Sequence, residues 1–168
     1  FVSITGLVYA QNQSSTQSNQ PELIELGLSY FRLGMFQDAI QALEKGLAKD
    51  ANNKAGWQSL AAAYRAQGLY NKAEETYQMA LQLDDKDPGI WYEIGNLYFD
   101  MRNYQLAIDA YEKSITLNKN QPEVHYNLGN VYYDLRDYEK ARDAYMKAIE
   151  IEPKYFDALN NLGNVYYY

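Results

Sequence analysis

The chain has 168 residues, of which 47% are hydrophobic and 22% are charged, values that are ordinary for a globular or repeat protein. Its formal net charge of −7 at pH 7 argues against nucleic-acid binding, which would require a basic surface. The absence of cysteine excludes disulfide bonds, thiolate metal sites and thiol nucleophiles. Since no segment approaches the ~20 apolar residues of a membrane helix, the sequence predicts no membrane span.

Residues 1–10, FVSITGLVYA, are apolar and uncharged, and a polar stretch follows them directly. The small residues near the end of this segment indicate the remnant of a signal peptide that is cleaved after Ala10. This interpretation predicts export to the periplasm or the extracellular space, and a cytoplasmic chain with an apolar start is the alternative. Residues 11–19 are almost entirely Gln, Ser, Asn and Thr, which predicts a disordered polar linker.

A period of 34 residues organises the chain from residue 20 onward. The heptapeptide NLGNVYY occupies residues 127–133 and recurs at residues 161–167. The predicted units are 20–53, 54–87, 88–121, 122–155 and a partial unit, 156–168. Because apolar residues recur at helical spacing in both halves of each unit, every full unit is predicted to be a pair of amphipathic helices.

Small residues recur at fixed positions in these units and predict close approach between helices, because a glycine inside a helix costs about 1 kcal/mol relative to alanine. The first such position holds Gly27, Ala61, Gly95, Gly129 and Gly163. Gly34 and Gly68 stand where first helices should end, and Pro88 and Pro122 where first helices should begin. Large residues are predicted to pack into the gaps over the small ones, and these are Leu43, Tyr77, Tyr111 and Tyr145.

The period and the positions of these residues resemble those of the tetratricopeptide repeat (TPR) family, whose unit is a helix–turn–helix of 34 residues. The resemblance covers residues 20–168. It implies an all-α, right-handed superhelical solenoid with four full repeats and the first helix of a fifth, in which the first helices line the concave face. The chain ends inside that last helix, whereas repeat arrays usually close with a polar capping helix, so more protein is expected after Tyr168.

The sequence offers little support for catalysis or for a metal or cofactor site. His125 is the only histidine, and it occupies a position that Trp57 and Trp91 fill in other units, which favours packing between helices. The segment DDKDPG at residues 84–89 departs from a calcium loop, and Asp87 is better explained as a helix N-cap. We therefore predict no catalytic residue, no metal and no cofactor.

Several repeated positions on the first helices are not accounted for by packing and are predicted to line a concave groove. From the third unit onward these positions hold asparagines, which offer both a donor and an acceptor, and aromatic residues. Such side chains suit the main chain and side chains of an extended peptide. The predicted groove residues are Tyr92, Asn96, Phe99, Tyr126, Asn127, Asn130, Tyr133, Asn161, Asn164 and Tyr167.

The sequence thus predicts a non-enzymatic scaffold that binds a protein or peptide segment. Asp100 and Asp134 follow the aromatic position directly and favour a partner that carries Lys or Arg. One alternative is a substrate-presenting arm of a larger enzyme whose catalytic domain lies beyond residue 168. Another is self-association through an uncapped end formed by Leu159, Leu162 and Tyr166.

Overall fold

The computed structural model of the protein describes residues 20–166, and these residues form nine α-helices and no strand. The predicted signal remnant, the predicted linker and Tyr167 lie outside the described residues. The helices are α1 (Gln20–Arg32), α2 (Phe36–Leu47), α3 (Lys54–Ala66), α4 (Tyr70–Leu83), α5 (Pro88–Asp100), α6 (Tyr104–Leu117), α7 (Pro122–Asp134), α8 (Tyr138–Ile151) and α9 (Phe156–Val165).

The chain divides into two compact units, of which the first ends at Leu83 and the second begins at Asp84. In the first unit α1 pairs with α2 and α3 with α4, and α2 also packs against α3. In the second unit α5 pairs with α6 and α7 with α8, while α6 packs against α7 and α8 against α9. The predicted all-α, TPR-like solenoid with four helix pairs and the first helix of a fifth is therefore confirmed.

The helices begin where local sequence signals place them. Aromatic residues at one repeated position start α2, α4, α6 and α8, and prolines start α5 and α7. Asp87 caps α5 as predicted, because its carboxylate accepts a hydrogen bond of 2.8 Å from the backbone N–H of Gly89. None of the helices between Gln20 and Val165 is both long and apolar enough to cross a membrane.

The predicted close approach at the glycines of the first helices is confirmed in three of them. A Cβ atom at Gly27 would come within 2.5 Å of Leu43, and one at Gly95 within 2.4 Å of the ring of Tyr111. The equivalent atom at Gly129 would lie 2.6 Å from the ring of Tyr145. The buried large side chains of the second helices therefore fill the space that these glycines leave.

The turns between the paired helices all contain one residue in the left-handed region. Gly34 and Gly68 adopt φ of +72° in the first unit, as their positions at helix ends predicted. Arg102 and Arg136 occupy the same turn in the second unit with φ of +56° and +62°. The turn geometry is thus imposed by the packing of the helix pair, even where the sequence carries no glycine to signal it.

Replacing Arg136 with glycine is expected to raise the free energy of unfolding by about 0.5–1 kcal/mol. The change relieves a left-handed conformation that costs a side-chain-bearing residue about 1–2 kcal/mol, and the greater freedom of glycine in the unfolded chain offsets part of that gain. Urea unfolding followed by circular dichroism measures the change. Gly34→Ala is the matched control with the opposite expected sign, because no heavy atom of the described residues lies within 4 Å of the added methyl group and only backbone strain acts there. A loss of stability in Arg136→Gly would contradict this account.

Candidate functional site

The predicted groove residues lie on α5, α7 and α9, the first helices of the second unit. Nine of the ten are described, and all nine are half-buried except Asn164, which is exposed. Tyr167 lies outside the described residues. In the first unit Leu28 and Ala62 stand at the positions that Asn96 and Asn130 occupy in the second, so the amide positions are confined to the second unit.

The first amide cluster joins three helices of the second unit. The side-chain oxygen of Asn96 on α5 accepts a hydrogen bond of 2.7 Å from the hydroxyl of Tyr111 on α6. The same oxygen accepts a hydrogen bond of 2.9 Å from Nδ2 of Asn127 on α7. Nδ2 of Asn127 also donates to the hydroxyl oxygen of Tyr92 over 3.3 Å. The side-chain oxygen of Asn96 thus connects α5 to α6 and to α7.

The same arrangement recurs one repeat later. The side-chain oxygen of Asn130 accepts hydrogen bonds from the hydroxyl of Tyr145, over 2.8 Å, and from Nδ2 of Asn161, over 3.0 Å. Nδ2 of Asn161 also donates to the hydroxyl oxygen of Tyr126 over 3.4 Å. These bonds connect α7 to α8 and to α9.

The asparagines therefore have a structural role that the sequence analysis did not assign to them. Tyr111 completes the first cluster and Tyr145 the second, whereas their sequence positions predicted only a place in the core. The signal available for their second role is their position, 15 residues after Asn96 and Asn130 respectively. Because the carbonyl oxygens of these two asparagines are occupied, their amide orientation is set, and each Nδ2 group keeps N–H donors that have no acceptor among residues 20–166.

A cavity of about 270 Å³ opens over the second cluster. Its lining contains five of the predicted groove residues, together with Asp134 and the core residue Tyr145. The five predicted residues are Phe99, Asn130, Tyr133, Asn161 and Asn164. Of the other described groove residues, Tyr92, Asn96 and Asn127 belong to the first amide cluster and Tyr126 to the second. The structure therefore brings only part of the predicted set to one opening.

All four described aromatic residues of the groove pack against other rings, and two of them also line the cavity. The ring of Tyr92 lies 6.2 Å from that of Tyr111, and the ring of Tyr126 lies 5.9 Å from that of Tyr145 and 5.3 Å from that of Tyr155. These separations are typical of packed aromatic pairs. Tyr92 and Tyr126 therefore support the core of the second unit. The rings of Phe99 and Tyr133 are packed as well, 6.1 Å from Tyr104 and 5.6 Å from Tyr138 respectively, and they also line the cavity.

The hydroxyl of Tyr145, which borders the cavity, keeps one protonation state. Burial raises the pKa of Tyr145 well above its ordinary value, and the nearby carboxylate of Asp134 is among the charges that raise it further. The hydroxyl of Tyr145 therefore stays protonated and remains a donor to Asn130. One oxygen of Asp134 accepts a hydrogen bond of 3.1 Å from the hydroxyl of Tyr104.

The predicted self-association surface and His125 also lie within the described residues. Leu159 is 40% exposed and lines, with Leu162, a cavity of about 660 Å³ between α8 and α9, and Tyr166 is 68% exposed. Self-association through these residues stays a prediction.

Burial lowers the pKa of His125, so its imidazole is neutral at pH 7. Within residues 20–166 no three His, Cys, Asp or Glu side chains are grouped to hold a metal ion.

The chain was compared with protein families and with known proteins. Tetratricopeptide repeat models match residues 30–97, 122–155 and 144–167, and a TPR repeat model matches residues 95–135. A crystal structure of MamA protein is 31% identical in sequence to this chain, with a TM-score of 0.78. The match covers 89% of this chain and 82% of the MamA chain. The chain belongs to the tetratricopeptide repeat family. No curated protein sequence matches this TPR chain.

Two more distant structures share only the fold with this TPR chain. PilF of Pseudomonas aeruginosa is 21% identical, with coverage of 90% of this chain and 69% of PilF and a TM-score of 0.79. The first TPR of Spaghetti (RPAP3), bound to HSP90 peptide SRMEEVD, is 22% identical, with coverage of 67% of this chain and 89% of that domain and a TM-score of 0.63.

Proposed function

We propose that this TPR chain is a non-enzymatic scaffold whose second unit holds an extended segment of a partner protein in the groove formed by α5, α7 and α9. The observation that carries the proposal is the orientation of Asn96 and Asn130. Their carbonyl oxygens are held by Tyr111 and Tyr145 and by the amides of the next repeat. The N–H groups of the same amides are therefore held ready as donors.

Held amide donors suit the main chain of an extended segment. Such a segment presents carbonyl oxygens at regular intervals, and a donor supplied by each repeat can pair with them whatever the side chains are. Because the amides of Asn96 and Asn130 are already fixed, little conformational entropy is lost when they bind. Each cluster also offers the side-chain oxygen of its second asparagine, Asn127 or Asn161, as an acceptor for a main-chain N–H.

The aromatic side chains provide the apolar part of the interaction. Phe99 and Tyr133 line the 270 Å³ cavity and would contact side chains of the bound segment. Aromatic residues are favourable contact groups because they bury a large area with few rotatable bonds. Main-chain pairing to the amides and side-chain contact with the rings together explain why the same residue types recur in successive repeats.

The segment bound here is expected to differ in charge from the peptide of the RPAP3 structure. That peptide, SRMEEVD, contains two glutamates and one aspartate. The cavity of this TPR chain is lined by the carboxylate of Asp134 and by no Lys, Arg or His side chain of the described residues. A strongly acidic segment would therefore be repelled at this position.

The proposal is tested by selecting random 12-residue peptides, displayed on phage, against the immobilised chain and measuring the selected peptides by fluorescence anisotropy. Asn130→Asp is the informative variant, because its carboxylate can still accept from Tyr145 and Asn161 but has no N–H to donate. We expect this variant to bind selected peptides that lack Lys and Arg about tenfold more weakly, since a main-chain acceptor loses its donor and no cation of the peptide gains from the added charge.

Asn71→Asp is the matched control, because it makes the same chemical change at an exposed position on α4, in the other unit. Its affinity is expected to stay within about twofold of the parent chain, since surface changes away from a site have small effects. Circular dichroism confirms that both variants remain folded. Failure to select any peptide, or equal or tighter binding of peptides without Lys or Arg by Asn130→Asp, would show that the groove does not bind in the proposed way.

A further inference from the structure

We infer that the cavity beside Asp134 is a subsite for one cationic side chain, a lysine or an arginine, of the segment bound in the groove. This inference rests on the proposed function and deepens it. It assigns the cavity of about 270 Å³ between Phe99, Tyr133 and Asp134 to a single residue of the partner. Four observations support it: the size of the cavity, its charge, its aromatic walls and its amide acceptors.

The size of the cavity favours a side chain over a whole small molecule. Sites for drug-sized ligands usually enclose about 300–1,000 Å³, and this cavity is smaller and open on one side. It also lies directly over the second amide cluster, where the main chain of an extended segment would pass. A side chain that leaves this main chain at Asn130 would therefore point into the cavity.

The charge of the cavity favours a cation. Asp134 is exposed, and one of its oxygens accepts a hydrogen bond from Tyr104. Because a carboxylate can accept several hydrogen bonds, it can still accept from a cationic side chain. The guanidinium of Arg102 lies near this carboxylate, because it is 3.4 Å from the same Tyr104 hydroxyl, but among the described residues Arg102 forms no ion pair with Asp134. Lys140, on the helix that follows, is paired with Asp137 over 2.9 Å.

The remaining lining fits a long side chain with a positive end. The rings of Phe99 and Tyr133 offer apolar surface to the methylene groups of lysine or arginine, and an aromatic face attracts a nearby cation. The side-chain carbonyl oxygens of Asn161 and Asn164 have no donor among residues 20–166 and would accept the N–H groups of an ammonium or guanidinium ion. An acidic or apolar side chain would bring no donor to these amide oxygens and no positive charge to Asp134.

The subsite is tested with a single blocked amino acid, a probe that binds or fails to bind whatever the natural partner is. Nα-acetyl-L-arginine N-methylamide is titrated into the 15N-labelled chain, and the backbone amide shifts of α7 and α9 are followed by NMR. We expect saturable shifts around Asp134 and Asn161, and a dissociation constant about three to ten times weaker in Asp134→Asn, because an ion pair and a cation–ring contact are each modest. The neutral citrulline analogue is expected to bind the parent chain more weakly than the arginine probe does, by a similar factor.

Asp109→Asn is the matched control, because it removes the same charge at an exposed position on α6 and can keep its hydrogen bond to Gln105. Asp134→Asn should remain folded, since a carboxylate at the last residue of α7 is unfavourable to the helix. Equal binding of the arginine and citrulline probes, or no effect of Asp134→Asn, would overturn the subsite. The two tests can fail independently. If the phage-selected peptides depend on Asn130 but the arginine probe does not bind, the groove is supported and the subsite is wrong. If the arginine probe binds as expected but the peptides do not depend on Asn130, the subsite is supported and the groove is wrong.

Discussion

Replacing Gly129 with alanine is expected to lower the free energy of unfolding by about 2–3 kcal/mol. The added Cβ would lie 2.6 Å from two carbon atoms of the Tyr145 ring, closer than any ordinary van der Waals contact. Tyr145 cannot move away easily, because it is 1% exposed and its hydroxyl is bonded to Asn130. Overpacking of a dense core typically costs about 1–3 kcal/mol, and the backbone of Gly129 would have to shift with its helix.

Gly163 provides a matched control for Gly129 within the same heptapeptide. No heavy atom of the described residues lies within 4 Å of a Cβ built at Gly163, and the residue is exposed on α9. Gly163→Ala is therefore expected to raise the free energy of unfolding by up to about 1 kcal/mol, because alanine is the better helix former. Urea unfolding of both variants, followed by circular dichroism in the far ultraviolet, gives the two values. A similar effect of the two substitutions would show that Gly129 does not serve to admit Tyr145.

Replacing Asn130 with alanine is expected to lower the free energy of unfolding by about 2 kcal/mol. The hydroxyl of Tyr145 would lose its acceptor, and Nδ2 of Asn161 would keep only the 3.4 Å hydrogen bond to Tyr126. The side chain of Tyr145 is 1% exposed, and a buried donor left without a partner costs about 1–3 kcal/mol. The gain in helix propensity from asparagine to alanine offsets only about 0.5 kcal/mol of this loss.

Two further substitutions separate the hydrogen bonds of Asn130 from its packing. Asn164 holds the equivalent position in the next repeat, and its side chain has no hydrogen-bond partner among residues 20–166. Asn164→Ala is expected to leave the stability unchanged or slightly higher. Asn130→Asp, which keeps the acceptor, is expected to recover most of the stability that Asn130→Ala loses. Thermal unfolding that is equal for Asn130→Ala and Asn164→Ala would contradict a structural role for the amide cluster.

Much of the fold was predictable because its signals are local. Helical spacing of apolar residues, proline at the first position of α5 and α7, and the N-cap at Asp87 act over a few residues, and the structure confirms each of them. The glycine positions were predictable because a costly residue repeated inside a helix has few explanations other than close packing. The left-handed conformations at Arg102 and Arg136 were not predictable, because neither turn contains a glycine that would signal one.

The candidate site was predictable only as a set of positions. The sequence placed asparagine and aromatic residues on the first helices, and the described ones lie on α5, α7 and α9. Their division between packing and the cavity was not predictable, because it depends on bonds such as that from Asn127 to Asn96, which are 31 residues apart in the chain. Tyr111 and Tyr145 likewise acquire their second role only when a hydroxyl from the core reaches an amide of the neighbouring helix.

The two copies of NLGNVYY separate what the sequence by itself determined from what tertiary structure decided. The sequence determined that both copies are helical and recur with the 34-residue period, because periodicity and helix signals depend on nearby residues alone. Tertiary structure decided that Gly129 admits a buried tyrosine while Gly163 is open, and that Asn130 holds two hydrogen bonds while Asn164 has none among the described residues. The physical reason is that packing and hydrogen bonding are pairwise, so identical residues differ in role when their neighbours differ.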